Sequence, residues 1–139
     1  MTLGSVRHHV RIRRPIEDVW ELAGDAARLH EWFPGITSCS VDEGYRTIVL
    51  RSGMAMPEEI LVDDKVQHRF QYRITSPPFT YHRGSIDAID LEDGTTLVVY
   101  LTEADPRTMA LTIAGGTAGA LDELKRQMEN DATTDGDER

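Results

Sequence analysis

Cysteine is almost missing from this chain of 139 residues, where Cys39 stands alone. No intrachain disulfide can form, and a reducing cytoplasm is the expected setting. Long apolar runs are missing too. None approaches the roughly 18 residues that cross a bilayer, so no integral membrane association is expected. Positive charge is in short supply: 15 Lys and Arg stand against 24 Asp and Glu, for a net charge of -9. Phosphate binding needs clustered Lys and Arg, so nucleic acid is not an expected partner. The opening MTLGSVRHHVRIRR turns basic early and lacks the apolar stretch of a secretory signal.

Several chemical motifs are absent as well. There is no HExxH or CxxC spacing, and the adjacent His8 and His9 fall on opposite faces of a strand, so no metal site is expected. Neither a P-loop nor a GxSxG elbow occurs. The glycine-rich AGGTAG lies inside a helical pattern and not between a strand and a helix, which makes it a poor dinucleotide fingerprint. No cofactor is expected.

What the chain does contain is a clear order of elements. Ser5 to Arg13 alternates, with Val6, His8, Val10 and Ile12 on one face, the mark of a half-buried strand. Pro15 suits the first turn of a helix, since its missing N–H would have no partner there. Ile16, Val19, Trp20 and Ala23 follow at helical spacing, and Asp25 is placed to cap a second short helix carrying Leu29, Trp32 and Phe33. Six further strands are expected at Ile36 to Val41, Tyr45 to Ser52, Glu58 to Asp63, Arg69 to Thr75, Tyr81 to Leu91 and Thr96 to Ala104. Their short links favour an antiparallel meander. A last helix is expected from Arg107 to about Asn130, interrupted by Gly115, Gly116 and Gly119. These glycines either allow close approach to the sheet or loosen the helix, at about 1 kcal/mol each. Residues 1–130 read as one domain, and 131–139 as an acidic, disordered tail with four acids and one Arg.

The stretches RRPIEDVWEL, LHEWFPGI, GYRTIVLRSG, PEEILVDD with FQYRI, SPPFTYH and ALDELKRQME, taken in order, resemble the START-related superfamily of polyketide cyclases, dehydrases and lipid-transport proteins. The resemblance covers roughly residues 5 to 130. It implies an α+β helix-grip fold: a curved seven-stranded antiparallel sheet around a long C-terminal helix, two short helices after the first strand, and a cavity between. It does not imply one activity, because the superfold hosts carriers, receptors and enzymes.

Strand alternation then selects candidate site residues. Ile48 and Leu50 carry Arg46 inward, and Ile60 and Val62 carry Glu58 inward. Relatives often show an Arg and a Glu at these two places, as the resemblance implies. A buried Arg needs an acceptor, and Glu58 is the nearest across the hairpin. The two either form an internal ion pair or present Arg46 to a ligand carboxylate or carbonyl. His8 and His82 also fall on interior phases and are the candidate acid or base groups, whereas His68 at a strand end is expected in solvent. Trp32, Phe33 and Tyr72 are placed to line a pocket mouth or to pack as core. Tyr81 and Tyr100 have ambiguous phases, since LVVYL is apolar on both sides.

The expected function is binding or transport of a hydrophobic or amphipathic small molecule, lipid-like or polyketide-like, in an internal cavity. The alternative is a cyclase or aromatase-type enzyme using acid/base groups there, with His8 or His82 as base and Arg46 as oxyanion donor. A homodimer is compatible with the sequence but not required by it.

Overall fold

The computed structural model describes residues 2–137, with side chains through residue 130. The stretch read as an acidic tail, 131–139, therefore lies outside the residues whose side chains are described.

Seven strands form one antiparallel sheet: β1 (Gly4–Ile12), β2 (Ile36–Asp42), β3 (Tyr45–Leu50), β4 (Ala55–Asp64), β5 (Arg69–Arg73), β6 (Tyr81–Asp90) and β7 (Thr96–Asp105). Their order is β1-β7-β6-β5-β4-β3-β2, a meander in which only β1 departs from sequence order to pair with β7. Two short helices follow β1: α1 (Ile16–Ala23) and a 3-10 helix (Ala26–Glu31). The long helix α2 (Arg107–Asp137) closes the fold. This is the expected helix-grip architecture.

Local chemistry accounts for the element boundaries. Pro15 sits at the N-cap of α1, one position ahead of the helix, and Glu17 and Asp18 favour the positive end of its dipole. Asp25 caps the 3-10 helix, its Oδ1 accepting the Ala27 N–H at 3.0 Å. Cys39 fastens that helix to β2. Its thiol lies 3.1 Å from the Ala27 carbonyl oxygen and 3.1 Å from His30 Nδ1.

One strand departs from strict alternation. A register shift between Ile60 and Val62 leaves Leu61 unpaired, so that Ile60 faces Tyr72 but Val62 faces Gln71 and Asp63 faces Phe70. The bulge thus moves Val62 off the face it was expected to share with Ile60. Glu58 precedes the bulge and keeps its inward phase, fully buried.

The core lies between the inner face of the sheet and α2, with Ile12, Val19, Leu29, Trp32, Ile86, Val98, Tyr100, Leu121 and Leu124 all buried. α2 packs on β1 and β7. Gly4 admits its first turn, because a Cβ there would stand 2.6 Å from the Arg107 carbonyl oxygen. Farther along, Lys125 Nζ donates to the Arg11 carbonyl at 2.6 Å and Arg14 donates to the Met128 carbonyl at 2.8 Å. The buried positions thin out toward the start of the helix, where Ala110, Ala114 and Thr117 replace the larger Leu121, Leu124 and Met128. Small side chains at that end leave space above the sheet.

Candidate functional site

That space is a cavity of about 250 Å³ between the sheet and the first half of α2. Its floor is made of buried residues: Leu29, Ile36, Ile48, Glu58, Tyr72, Ile74, His82 and Tyr100. Its rim combines Phe33 and Pro34 after the 3-10 helix, Leu50 and Met56 of the β3–β4 hairpin, Phe79 before β6, and Met109, Thr112 and Ile113 of α2. Phe33 closes one side against the helix, its ring 3.3 Å from where a Cβ on Gly116 would stand.

Four polar groups interrupt the apolar floor. Tyr72 and Tyr100 share a hydrogen bond between their hydroxyls, 2.7 Å apart. Burial pushes Tyr100 up to about 12 and Tyr72 well above the usual tyrosine range, so both are neutral phenols. Tyr72 lies flat on β6 because Gly84 has no side chain there: a Cβ would come within 2.4 Å of its Cζ. His82 Nδ1 accepts the Ile74 N–H at 3.0 Å, which places the imidazole hydrogen on Nε2. Nε2 is buried and has no partner among the described residues. Burial holds His82 down to about 4, so the ring is neutral at ordinary pH.

The fourth group is Glu58. Its Oε1 accepts from Arg46 Nε at 2.7 Å, and both side chains are buried. Arg46 lies behind the floor, its guanidinium carbon 5.0 Å from the Phe70 ring centre and 4.9 Å from that of Tyr72. A second contact, 3.4 Å to the Ala26 carbonyl, ties it to the 3-10 helix. Burial pushes the Glu58 carboxyl up, with the Arg46 charge pulling it back. The arrangement is an internal ion pair, of which only the carboxylate partner lines the cavity.

Of the residues singled out from sequence, Phe33, Glu58, Tyr72 and His82 therefore line the cavity, and Arg46, Trp32 and His8 do not. Trp32 is buried against Phe33 and Tyr100. His8 pairs with Tyr100 across β1 and β7, half-buried on the inner face. Tyr100, of ambiguous phase in sequence, points inward. His68 was expected in solvent; it is half-buried, edge-on to Trp20 with ring centres 5.8 Å apart. A glycine inside an otherwise regular strand, as Gly84 is in β6, signals close approach by a neighbour.

The described residues contain no group of His, Cys, Asp and Glu arranged to hold a metal ion. No helix among them is long and apolar enough to cross a membrane.

Solved structures share this architecture across almost the whole chain. The protein XoxI from Bacillus cereus superposes with a TM-score of 0.83 at 21% identity, covering 90% of this chain and 95% of that one. The ZhuI aromatase/cyclase from Streptomyces sp. R1128 gives 0.75 at 19% identity, over 94% and 96%. A START superfamily protein from Mycobacterium smegmatis gives 0.73 at 15% identity, over 91% and 97%. At these identities the likeness is one of fold. No functionally curated protein matches the chain. The model of the family described as polyketide cyclase/dehydrase and lipid transport matches residues 4–129, from the first residue of β1 deep into α2. On that match the chain belongs to this family, and the solved structures share its fold.

Proposed function

We propose that the protein binds a small hydrophobic or amphipathic molecule between its sheet and α2. One observation carries this reading: the cavity of about 250 Å³ is walled by aliphatic, aromatic and thioether side chains, with a few polar groups at fixed positions on its floor. Apolar walls supply affinity at roughly 25 cal/mol per Å² buried, and the polar groups orient the guest. The volume lies just below the roughly 300–1,000 Å³ of drug-sized pockets, so a guest of one or two rings, or a short acyl chain, fits the space. Free Cys39 suits a reducing cytoplasm as the place of action.

A cyclase-type reaction in the same cavity needs a group that exchanges protons near neutrality. His82 is held near 4 and has Nδ1 occupied, Glu58 is engaged by Arg46, and His8 does not line the cavity. Binding is the reading these geometries favour.

Native mass spectrometry of freshly purified protein, paired with a thermal-shift screen of lipid-like and aromatic compounds, tests it. We expect either a co-purified small molecule or several stabilising compounds. A bare protein that no compound stabilises would sink the proposal.

A further inference from the structure

The floor of the cavity has a hydrogen-bond donor to spare and no cation. His82 is 3% exposed, its Nδ1 is taken by the Ile74 N–H, and its Nε2–H is buried without an acceptor. Leaving a buried donor without an acceptor is costly, so a guest that supplies one binds tighter, by about tenfold, than a guest that does not.

The charges at the floor decide what kind of acceptor this is. No Lys or Arg is among the described lining residues. Arg46, the nearest guanidinium, is buried behind the floor and bonded to Glu58. Glu58 turns the negative member of that pair toward the guest. Its place on β4 is one position beyond the Glu59–Arg73 pair, alongside Ile74, whose N–H binds His82. Glu58 and His82 therefore stand two strands apart, about 10 Å between backbones. An anionic guest would lose its hydration, meet a carboxylate and find no counter-ion.

We infer that the cavity selects uncharged guests carrying a carbonyl-type oxygen, such as a ketone, ester or amide, accepted at His82 Nε2–H, and discriminates against carboxylates of the same shape. This rests on the binding reading above and narrows it to a ligand class. It also turns the Arg46–Glu58 pair from a carboxylate anchor into a screen against anions.

Three probes of nearly one shape test the inference on the full chain at pH 7.5: 2-acetylnaphthalene, 2-naphthoate and 2-isopropenylnaphthalene. Dissociation constants are read by NMR titration. The ketone is expected to bind about tenfold tighter than the hydrocarbon and at least about tenfold tighter than the carboxylate. His82→Asn keeps an acceptor for the Ile74 N–H and removes the Nε2 donor. It should bring the ketone down to the hydrocarbon's affinity and leave the hydrocarbon unchanged. Should that variant not fold, the 15N resonance of His82 Nε2 in the unmodified protein must move with the ketone and not with the hydrocarbon. Carboxylate binding as tight as ketone binding overturns the inference, as does a ketone advantage that survives His82→Asn. If the hydrocarbon binds but the ketone gains nothing, the inference falls while the cavity reading stands. If none of the three binds, both fall.

Discussion

Tyr72 occupies the place where Gly84 would otherwise carry a side chain, and that one absence sets the floor of the cavity. Adding a methyl group drives Cβ to 2.4 Å from Tyr72 Cζ, lifts the ring and breaks the 2.7 Å hydroxyl bond to Tyr100. Gly84→Ala should cost about 1–3 kcal/mol by overpacking, read as a lowered urea midpoint. An unchanged midpoint would mean that the ring does not rest where it is described. His82 offers a second test at this scale. In the fold it is held down to about 4 by burial, whereas an unfolded histidine titrates near 6.5. Between those values the unfolded chain binds the extra proton. Stability therefore falls as pH drops through the window, and above it His82 contributes no slope. By pH 5 the loss is about 2 kcal/mol. Glu58 is raised by burial and acts with the opposite sign, since the folded state keeps its proton to higher pH. Comparing unfolding at pH 7.5 and pH 5 in wild type and His82→Asn isolates the histidine. Equal losses in the two proteins would refute its assignment as a buried neutral ring.

The helix α2 shows how far sequence patterns reach at the scale of an element. Its glycines read as either close-packing or loosening, and the structure divides them. A Cβ on Gly116 would stand 3.3 Å from the Phe33 ring, whereas Gly115 and Gly119 have open space where a Cβ would stand. Gly115→Ala and Gly119→Ala should each stabilise the protein by about 0.5–1 kcal/mol, visible as a higher melting temperature. Lower melting temperatures would show that the helix needs its flexibility there. The strands were legible wherever one face is apolar and the other polar, as in β3, where alternation alone turned Arg46 inward. β7 was legible as a strand but its inward face was not, because Leu97, Val99 and Leu101 on its outer face are only half-exposed, and both phases look alike. The bulge at Leu61 was hidden for a different reason: register belongs to a pair of strands, and one strand's pattern does not contain it. Trp32 read as a pocket residue beside Phe33, yet it packs into the core against Phe33 and Tyr100, and only Phe33 of the two reaches the cavity. Facing direction came from local periodicity. Which inward side chains meet a void and which meet one another depended on the closing helix.

For the molecule as a whole, binding in the cavity would tie stability to occupancy. A guest that binds only the folded state adds about 2.7 kcal/mol at a hundredfold excess over Kd, which for a chain of this size raises the melting temperature by several degrees. The rise should grow with the logarithm of guest concentration, and a rise that saturates early would point to binding by the unfolded chain as well. The surface ion pairs, such as Arg28–Glu31 and Arg69–Asp87, are open to water and add little to this balance. The length of α2 also separates two duties. Leu121, Leu124 and Met128 moor the helix in the core, while Met109, Thr112 and Ile113, three turns earlier, line the cavity. Descendants of this chain can thus revise their taste at one end of the helix and keep their anchorage at the other.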